Sequence, residues 1–249
     1  MVGPGALAED LFTVGGISPD LYYFPCQALV TIDGVSFTGQ FWGFLLVSFL
    51  CGSIPFTWLI ARARGFDLLT TGSGNPGATN LSRVVGRGYG AAGLLLDVAK
   101  GLVPVFFFQQ TSDNLIQSFL IGGIAVVGHC YSPFLRGKGG KGVATTGGVL
   151  LALEPGIALT MLAIWALVRL LLRSVGMASV GAALTGVVIA FSLIFWAPLV
   201  DPLIRMAPTP ASSRQILGGV LLALSCLVVV RHRSNIHEYL QCRREEGQR

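Results

Sequence analysis

The chain alternates long apolar segments with short polar ones, and the polar ones are rich in glycine and in cationic residues. The apolar stretches cover residues 41–61, 88–108, 115–135, 141–153, 156–172, 178–197 and 216–230. Several approach the ~20 residues that a helix needs to cross a bilayer. The pattern predicts an all-α integral membrane bundle of seven transmembrane helices with Gly-rich loops. Residues 141–172 could instead form a single bent helix.

Composition supports a membrane protein. Of the 249 residues, 53% are hydrophobic and 12% are charged, whereas soluble domains carry about 25% charged residues. Polar clusters are costly inside a membrane and are usually functional there. The five cysteines form no CxxC pair and no His-spaced set, so the sequence predicts neither a disulfide framework nor a metal site. No cofactor is predicted.

The positive charges decide between the two helix counts. Lys100 lies within an apolar stretch and therefore belongs to neither side of the membrane. With seven spans, only Arg205 and Arg214 among the other cations lie on the extracytoplasmic side. With six spans, the cations near residue 138 and those near residue 232 would face opposite sides. Because cytoplasmic loops carry an excess of Lys and Arg, the charges favour seven spans. The N-terminus is then outside, and the loops at 62–87, 136–141 and 169–177 and the C-terminal segment 231–249 are cytoplasmic.

Three regions follow from this organisation. Residues 1–40 contain carboxylates but no Lys or Arg, and they lack the positive start and continuous apolar core of a signal peptide. We therefore expect 1–40 to be an extracytoplasmic N-terminal extension. Residues 41–239 form the predicted membrane domain, and residues 240–249 form a charged cytoplasmic tail.

The polar loop at residues 71–83 has the composition of an anion site. Its glycines allow backbone N–H groups to converge on one point. Ser73, Thr79 and Arg83 add side-chain donors, and no carboxylate interrupts the run. Such a set of donors predicts a phosphate cradle. A flexible turn between two helices would suit the glycines equally well, but it would not require the hydroxyls and the arginine.

A second polar loop, at residues 136–142, alternates glycine with Arg136, Lys138 and Lys141 and leads directly into an apolar helix. It does not match the GxxxxGK[ST] spacing of a P-loop, so it does not predict that class of nucleotide site. Cations beside a helix N-terminus nevertheless predict anion binding. A simple positive-inside anchor is the alternative, although it would not need four glycines.

Histidine supplies the candidate for proton transfer. His232 is the obvious general base, and flanking Arg231 and Arg233 should favour its neutral form. Alternatively, His232 binds a substrate phosphate, and that phosphate takes the proton. We expect His129 to be structural and His237 to be solvated.

Asp97 and Lys100 share a helix face at i,i+3 spacing, which predicts an internal ion pair. A helix kink is expected at residues 52–55, because Pro55 lies within an apolar span.

Four motifs in this chain resemble those of the bacterial membrane acyl-phosphate:glycerol-3-phosphate acyltransferases. They are GSIPF (52–56), GSGNPGATN (72–80), GKGGKGVAT (137–145) and RHRSNI (231–236). The similarity runs from about residue 41 to residue 239, with the motifs in family order. The first 40 residues and the tail depart from the family pattern, and neither departure touches a motif that carries chemistry.

The resemblance implies transfer of a fatty acyl group from acyl phosphate to the 1-hydroxyl of glycerol 3-phosphate, which yields lysophosphatidic acid and phosphate. It implies a multi-pass protein of the bacterial cytoplasmic (inner) membrane, with the enzyme that makes the acyl phosphate as a candidate partner and no nucleic-acid partner. The catalytic candidates are Ser73, Lys141, His232 and Asn235. The substrate-binding candidates are Gly72, Gly74, Asn75, Thr79, Asn80, Arg83, Lys138, Gly140, Ser179 and Arg231.

A small membrane transporter of phosphorylated solutes is the alternative function, because polar loops and broken helices also occur in transporters. The sequence shows no evident two-fold internal repeat, and its polar groups gather at one predicted surface instead of the bilayer midplane. No His-x₄-Asp motif and no GxSxG motif occurs. The sequence therefore does not predict acyl transfer through a His–Asp pair or a serine nucleophile.

Overall fold

The computed structural model of the chain describes residues 30–32, 35–196 and 211–247. The described residues belong to two compact units, one ending at Trp42 and the other beginning at Gly43. Most of the predicted extension and the proline-rich segment around Asp201 lie outside the described residues.

The N-terminal unit contains a short β-hairpin, which the all-α prediction omitted. Strand β1 (Val30–Ile32) pairs antiparallel with β2 (Val35–Phe37), and Val30 lies opposite Phe37. Three-residue strands are too short to show a period-2 pattern of apolar residues. After the hairpin, the ring of Phe41 lies 5.0 Å from that of Phe37 and 5.2 Å from that of Trp42.

Apart from the hairpin, the described regular structure is helical, as predicted. The helices are α1 (Gly39–Ser53), α2 (Phe56–Arg62), α3 (Ala78–Val84), α4 (Arg87–Gln109), α5 (Leu115–Cys130), α6 (Val143–Leu153), α7 (Pro155–Leu172), α8 (Val175–Phe195), α9 (Ala211–Arg231) and α10 (Arg233–Gly247). A 3-10 turn at Pro133–Leu135 follows α5. Helix α3 lies within the loop predicted at residues 71–83, and α10 continues into the predicted tail. Neither helix was expected, because both carry mostly polar residues.

Six segments of the described chain are long and apolar enough to cross a membrane. They are Gly39–Arg62, Arg87–Gln109, Leu115–Leu135, Pro155–Leu172, Val175–Phe195 and Arg214–Arg231. Helix α6 is apolar but has only 11 residues, about 16 Å at the usual helical rise. The predicted count of seven spans is therefore not confirmed, although α6 and α7 are separate helices and do not form a single bent one.

The predicted kink at Pro55 is present as a break between α1 and α2. Helix α1 ends at Ser53 and α2 begins at Phe56. The Ser53 carbonyl accepts a hydrogen bond from Ser132 Oγ at 2.6 Å, and the Ile54 carbonyl accepts one from Lys100 Nζ at 2.9 Å. Polar side chains from elsewhere in the bundle thus satisfy carbonyl groups at the break, as an apolar environment requires.

Helix α6 packs very closely against α4. A Cβ atom added at Gly148 would overlap the backbone of Val98, and one added at Gly101 would overlap the backbone of Thr145. The two glycines therefore let the helix backbones touch. This contact fixes α6 immediately after the second polar loop and holds that loop against the rest of the bundle.

Candidate active site

The first polar loop (residues 71–83) is held by the side chain of Asn80. Its Nδ2 donates to the carbonyls of Thr71 and Leu68 at 2.9 and 3.3 Å, and its Oδ1 accepts from the Ser73 N–H at 2.9 Å. Asn80 is only 2% exposed. The amide is therefore occupied by the loop's own backbone, and Asn80 shapes the loop from within.

Two further features fix the first loop. Gly72 has a φ of +69°, and a Cβ atom at that position would overlap Asn80 Oδ1. Thr57 Oγ1, on α2, donates to the Pro76 carbonyl at 2.7 Å. The side of the loop that faces solvent carries Gly72, Ser73, Gly74, Thr79 and Arg83, with Asn75 half-buried beside them. The predicted donors are thus accessible on a loop whose shape is fixed by buried bonds.

The second polar loop (residues 136–142) is anchored to the end of α5. The Gly140 N–H donates to the His129 carbonyl at 3.1 Å, and the Gly137 N–H donates to the Ser132 carbonyl at 2.8 Å. A Cβ atom at Gly140 would overlap the His129 imidazole. Gly140 is therefore required for close approach to His129, and Lys138 is exposed on the outer side of the same loop.

Arg231 holds the second loop from the other side. Its Nη2 donates to the carbonyls of Gly139 and Gly140 at 2.8 and 2.9 Å, and its Nε donates to Gly140 at 3.1 Å. The guanidinium also lies 5.3 Å from the centre of the Tyr131 ring. Three of its hydrogen bonds thus go to backbone carbonyls, so Arg231 organises the loop in this structure.

Lys141 and Asn235 meet between the second loop and the first turn of α10. The Lys141 ammonium donates to Asn235 Oδ1, while Asn235 packs so closely on Gly176 that a Cβ atom there would overlap it. Burial is the main cause that lowers the pKa of Lys141. The positive charges of Arg231 and Arg83 lower it further, and the Glu238 carboxylate opposes them. Lys141 is thus a poorly solvated cation within the electrostatic field of Arg83 on the first loop.

His232 lies directly after α9 and is 3% exposed. Its Nδ1 is 2.8 Å from the Val228 carbonyl, a geometry that places the ring proton on Nδ1 and leaves Nε2 as an acceptor. Burial lowers the pKa of His232 to about 4, and the charges of Lys141 and Arg231 add to that effect. The ring is therefore neutral near pH 7, mainly because it is buried.

Ser179 lies on α8, away from the solvent. Its hydroxyl donates to the Val175 carbonyl at 3.0 Å and accepts a hydrogen bond from Trp165 Nε1 at 3.3 Å. The predicted ion pair of Asp97 and Lys100 is confirmed, since Lys100 Nζ is 2.8 Å from Asp97 Oδ1 and both side chains are buried.

The structure therefore joins Lys141, Asn235, His232 and Arg231 in one cluster, with Arg83 close enough for its charge to act on Lys141. It does not bring Ser179 or Asn80 into a side-chain hydrogen bond with that cluster. Sequence reasoning did not single out Gly176, Thr57 or Trp165, because their contacts join residues far apart in the chain.

Comparison with known proteins gives the same assignment from sequence and from structure. Residues 42–242 match the family described as glycerol-3-phosphate acyltransferase. A glycerol-3-phosphate acyltransferase of Desulforudis audaxviator is 39% identical over 198 residues, which are 78% of this chain and 89% of that protein. One of Endomicrobium trichonymphae is 33% identical over 199 residues, or 80% of this chain and 91% of that protein.

The chain belongs to the glycerol-3-phosphate acyltransferase family. The crystal structure of PlsY (YgiH), an integral membrane glycerol 3-phosphate acyltransferase, in its glycerol 3-phosphate form agrees with it at a TM-score of 0.70 and 32% identity. The match covers 82% of this chain and 94% of that one. The lysophosphatidic acid form of the same enzyme agrees at a TM-score of 0.68.

Family membership decides between the two functions that the sequence left open. The protein is an enzyme of the membrane that acylates glycerol 3-phosphate, a reaction of phospholipid biosynthesis, and it is not a solute transporter. Its polar loops are accordingly the candidate substrate sites of an acyltransferase.

Proposed function

We propose that the enzyme transfers the acyl group of a fatty acyl phosphate to the 1-hydroxyl of glycerol 3-phosphate. The observation that carries this proposal is the convergence of the second loop and α10 at the Lys141–Asn235 hydrogen bond, within the field of Arg83. Both proposed substrates carry a phosphate group, which fits two glycine-rich cationic elements that face one site. Ser73, Thr79 and Arg83 would bind one phosphate, and Lys138, the backbone at Gly140 and Lys141 would bind the other.

The reaction needs no covalent acyl-enzyme. The 1-hydroxyl oxygen attacks the acyl carbon, the bond from that carbon to the phosphate oxygen breaks, and inorganic phosphate leaves. Because an acyl phosphate is a mixed anhydride with a good leaving group, positioning and stabilisation of charge suffice for catalysis. Lys141 is suited to stabilising negative charge. Burial has removed part of the water around its ammonium group, and a bound anion would compensate for that loss.

We propose that His232 orients glycerol 3-phosphate and that a substrate phosphate accepts the proton of the 1-hydroxyl. Nε2 of the neutral ring can accept a hydrogen bond from the 2-hydroxyl of glycerol 3-phosphate, because Nδ1 is directed at Val228. The proton of the 1-hydroxyl is then left for the phosphate. A pKa of about 4 makes His232 a weak base, whereas the second pKa of a phosphate monoester is about 6. The phosphate is therefore the stronger of the two candidate bases, and Asn235 would hold Lys141 in place.

The remaining candidates take supporting roles in this proposal. Asn80 and Gly72 preserve the shape of the first loop, and Arg231 preserves that of the second. Ser179 would act through its contact with Trp165 at the apolar side of the site. Gly74 and Asn75 would contribute backbone and amide donors to the first phosphate.

We further propose that the chain crosses the bacterial inner membrane seven times, with α6 as the short seventh crossing. The N-terminal extension (1–40) would be outside, and the tail (240–249) and active site would be cytoplasmic. This arrangement rests on the distribution of cations. It also places the site where a cytoplasmic enzyme could deliver acyl phosphate.

The donor can be tested directly with purified protein and radiolabelled glycerol 3-phosphate. Palmitoyl phosphate and palmitoyl-CoA would be compared at equal concentrations, with Lys141→Ala as the control for contaminating activity. We expect labelled lysophosphatidic acid from palmitoyl phosphate alone. Equal rates with the CoA donor would overturn the assignment of the donor.

A further inference from the structure

Three buried residues of the bundle, Asp97, Lys100 and His129, have no role in the chemistry described above. All three are less than 10% exposed. Lys100 and Asp97 form an ion pair at 2.8 Å, and His129 Nδ1 lies 3.7 Å from the same carboxylate oxygen. An ion pair taken out of water gives little or no net stability compared with well-packed apolar residues. A stabilising role alone is thus a weak explanation for these charges.

One end of this cluster is tied to the first loop. Lys100 Nζ donates to the Ile54 carbonyl at the break that precedes α2. On the first turn of α2, Thr57 Oγ1 donates to the Pro76 carbonyl of the first loop. The position of Lys100 therefore sets that of α2, and α2 sets that of the loop that carries Ser73 and Arg83.

The other end is tied to the second loop. The His129 carbonyl accepts the Gly140 N–H, and the imidazole lies against the α-carbon of Gly140. Lys100, Thr57, Pro76, His129 and Gly140 all line one small pocket. Both loops thus contribute to one pocket that Lys100 and His129 also line, and the cluster contacts an anchor of each loop.

We propose that Lys100 and Asp97, together with His129, are positioning residues that fix the two substrate loops relative to each other. This inference rests on the proposed function, because it assigns a role within that site. Two phosphorylated substrates react only when the hydroxyl of one is held at the acyl carbon of the other. A displacement of about 1 Å between the loops would cost on the order of a hundredfold in rate.

The test separates positioning from stability with purified, full-length enzyme. Lys100→Met removes the bond to Ile54 and leaves the buried Asp97 carboxylate without its partner, whereas the double variant Asp97→Asn/Lys100→Met removes both charges of the pair. We expect the double variant to recover most of the thermal stability that Lys100→Met loses. Its kcat/KM with palmitoyl phosphate and glycerol 3-phosphate should still be lower than that of the wild type by at least about tenfold.

A double-mutant cycle shows whether the effect passes through α2. Thr57→Val removes only the bond to Pro76 and keeps the shape of the side chain. If Lys100 acts through that bond, the losses in kcat/KM from Lys100→Met and Thr57→Val will be less than additive. Ser48→Ala serves as the control, since Ser48 Oγ donates to the Ile121 carbonyl at 2.7 Å and thereby joins α1 to α5 away from both loops. It should lower the unfolding temperature and leave kcat/KM within about twofold of the wild type.

Two outcomes would overturn the inference. One is a double variant whose kcat/KM lies within about threefold of the wild type, and the other is a cycle in which the two losses are additive. The assay of the wild-type enzyme tests the proposed donor independently of the variants. A wild type that does not use palmitoyl phosphate would contradict the proposed function, whereas an active wild type with unaffected variants would contradict the positioning role alone.

Discussion

At the scale of single residues, the proposed site draws its cations, Arg83 and Lys141, from different elements. Arg83 is exposed on α3, and Lys141 is partly buried before α6. Each would make a charge-assisted hydrogen bond to a phosphate, worth about 1.5–3 kcal/mol. We therefore expect Arg83→Ala and Lys141→Ala each to lower kcat/KM by about ten- to a hundredfold. In steady-state kinetics, the two variants should raise the Michaelis constants of different substrates.

Arg87→Ala is the matched control, because Arg87 is also an exposed arginine and lies four residues from Arg83, at the start of α4. Its removal should leave kcat/KM within about twofold of the wild type. If Arg83→Ala and Lys141→Ala raised the Michaelis constant of the same substrate, the two loops would not serve separate phosphates.

His232 gives a prediction about pH. Its pKa in the folded enzyme is about 4, below the value of about 6.5 in an unfolded chain. Above pH 6.5 both states are neutral, whereas between 6.5 and 4 only the unfolded state takes up the proton. Stability should therefore fall as the pH drops through that window, by up to about 1.4 kcal/mol per pH unit.

Thermal unfolding of the wild type and of His232→Gln between pH 4 and 8 would measure this contribution, because the glutamine variant should lack it. Nitrogen chemical shifts of labelled histidine should also show His232 neutral, with its proton on Nδ1, at pH 6. A midpoint near 6.5 would contradict the assigned environment. In turnover, His232→Gln should keep part of the activity that His232→Ala loses, if the ring orients the substrate and does not take the proton of the 1-hydroxyl.

At the scale of elements, the crossing of α4 and α6 depends on backbone contact. Gly148 faces the backbone of Val98, while the added Cβ of its neighbour Gly147 would meet no atom within 4 Å. Gly148→Ala must push the helices apart, so we expect a loss of about 1–3 kcal/mol in stability. Gly147→Ala should be neutral or slightly stabilising, since alanine is the better helix former. Thermal unfolding of the two variants in one detergent would compare them, and equal midpoints would exclude the close crossing.

The elements also show what the sequence could predict and what it could not. Long apolar runs predicted the spans to within a few residues, Pro55 predicted the break between α1 and α2, and i,i+3 spacing predicted the ion pair of Asp97 and Lys100. The hydrogen bonds of Asn80 and Arg231 were not predictable, because a polar side chain in a glycine-rich loop suits a ligand or the loop's own carbonyls equally well. Only the fold shows that both are occupied by backbone groups.

Contacts between distant segments account for the other differences. Gly176 touches Asn235, and Thr57 holds Pro76, only because the bundle brings separate helices together. No spacing in the sequence signals either contact. The paired strands β1 and β2 and helices α3 and α10 were missed for a different reason, since they lack the long apolar pattern on which the prediction relied.

At the scale of the whole molecule, the number of crossings determines whether the site lies on one side of the membrane. Both cationic loops and the His232 region contribute to the Lys141 cluster, so they must share a side. Six crossings alone would separate the second loop from His232, because only the three segments Pro155–Leu172, Val175–Phe195 and Arg214–Arg231 would lie between them. The proposed crossing by α6 would return the chain and keep the second loop and His232 on one side.

Reporter fusions test this topology. A reporter after Arg249 should be cytoplasmic, and one inserted at Asp201, between the segments that end at Phe195 and begin at Arg214, should be outside. A third reporter, at the turn between α6 and α7 near Glu154, should also be outside, because that turn follows a single crossing from the cytoplasmic second loop. Cytoplasmic reporters at both Glu154 and Asp201, together with an external one after Arg249, would contradict the crossing by α6. That result would leave Lys141 and His232 on opposite faces of the membrane, where they could not serve one reaction.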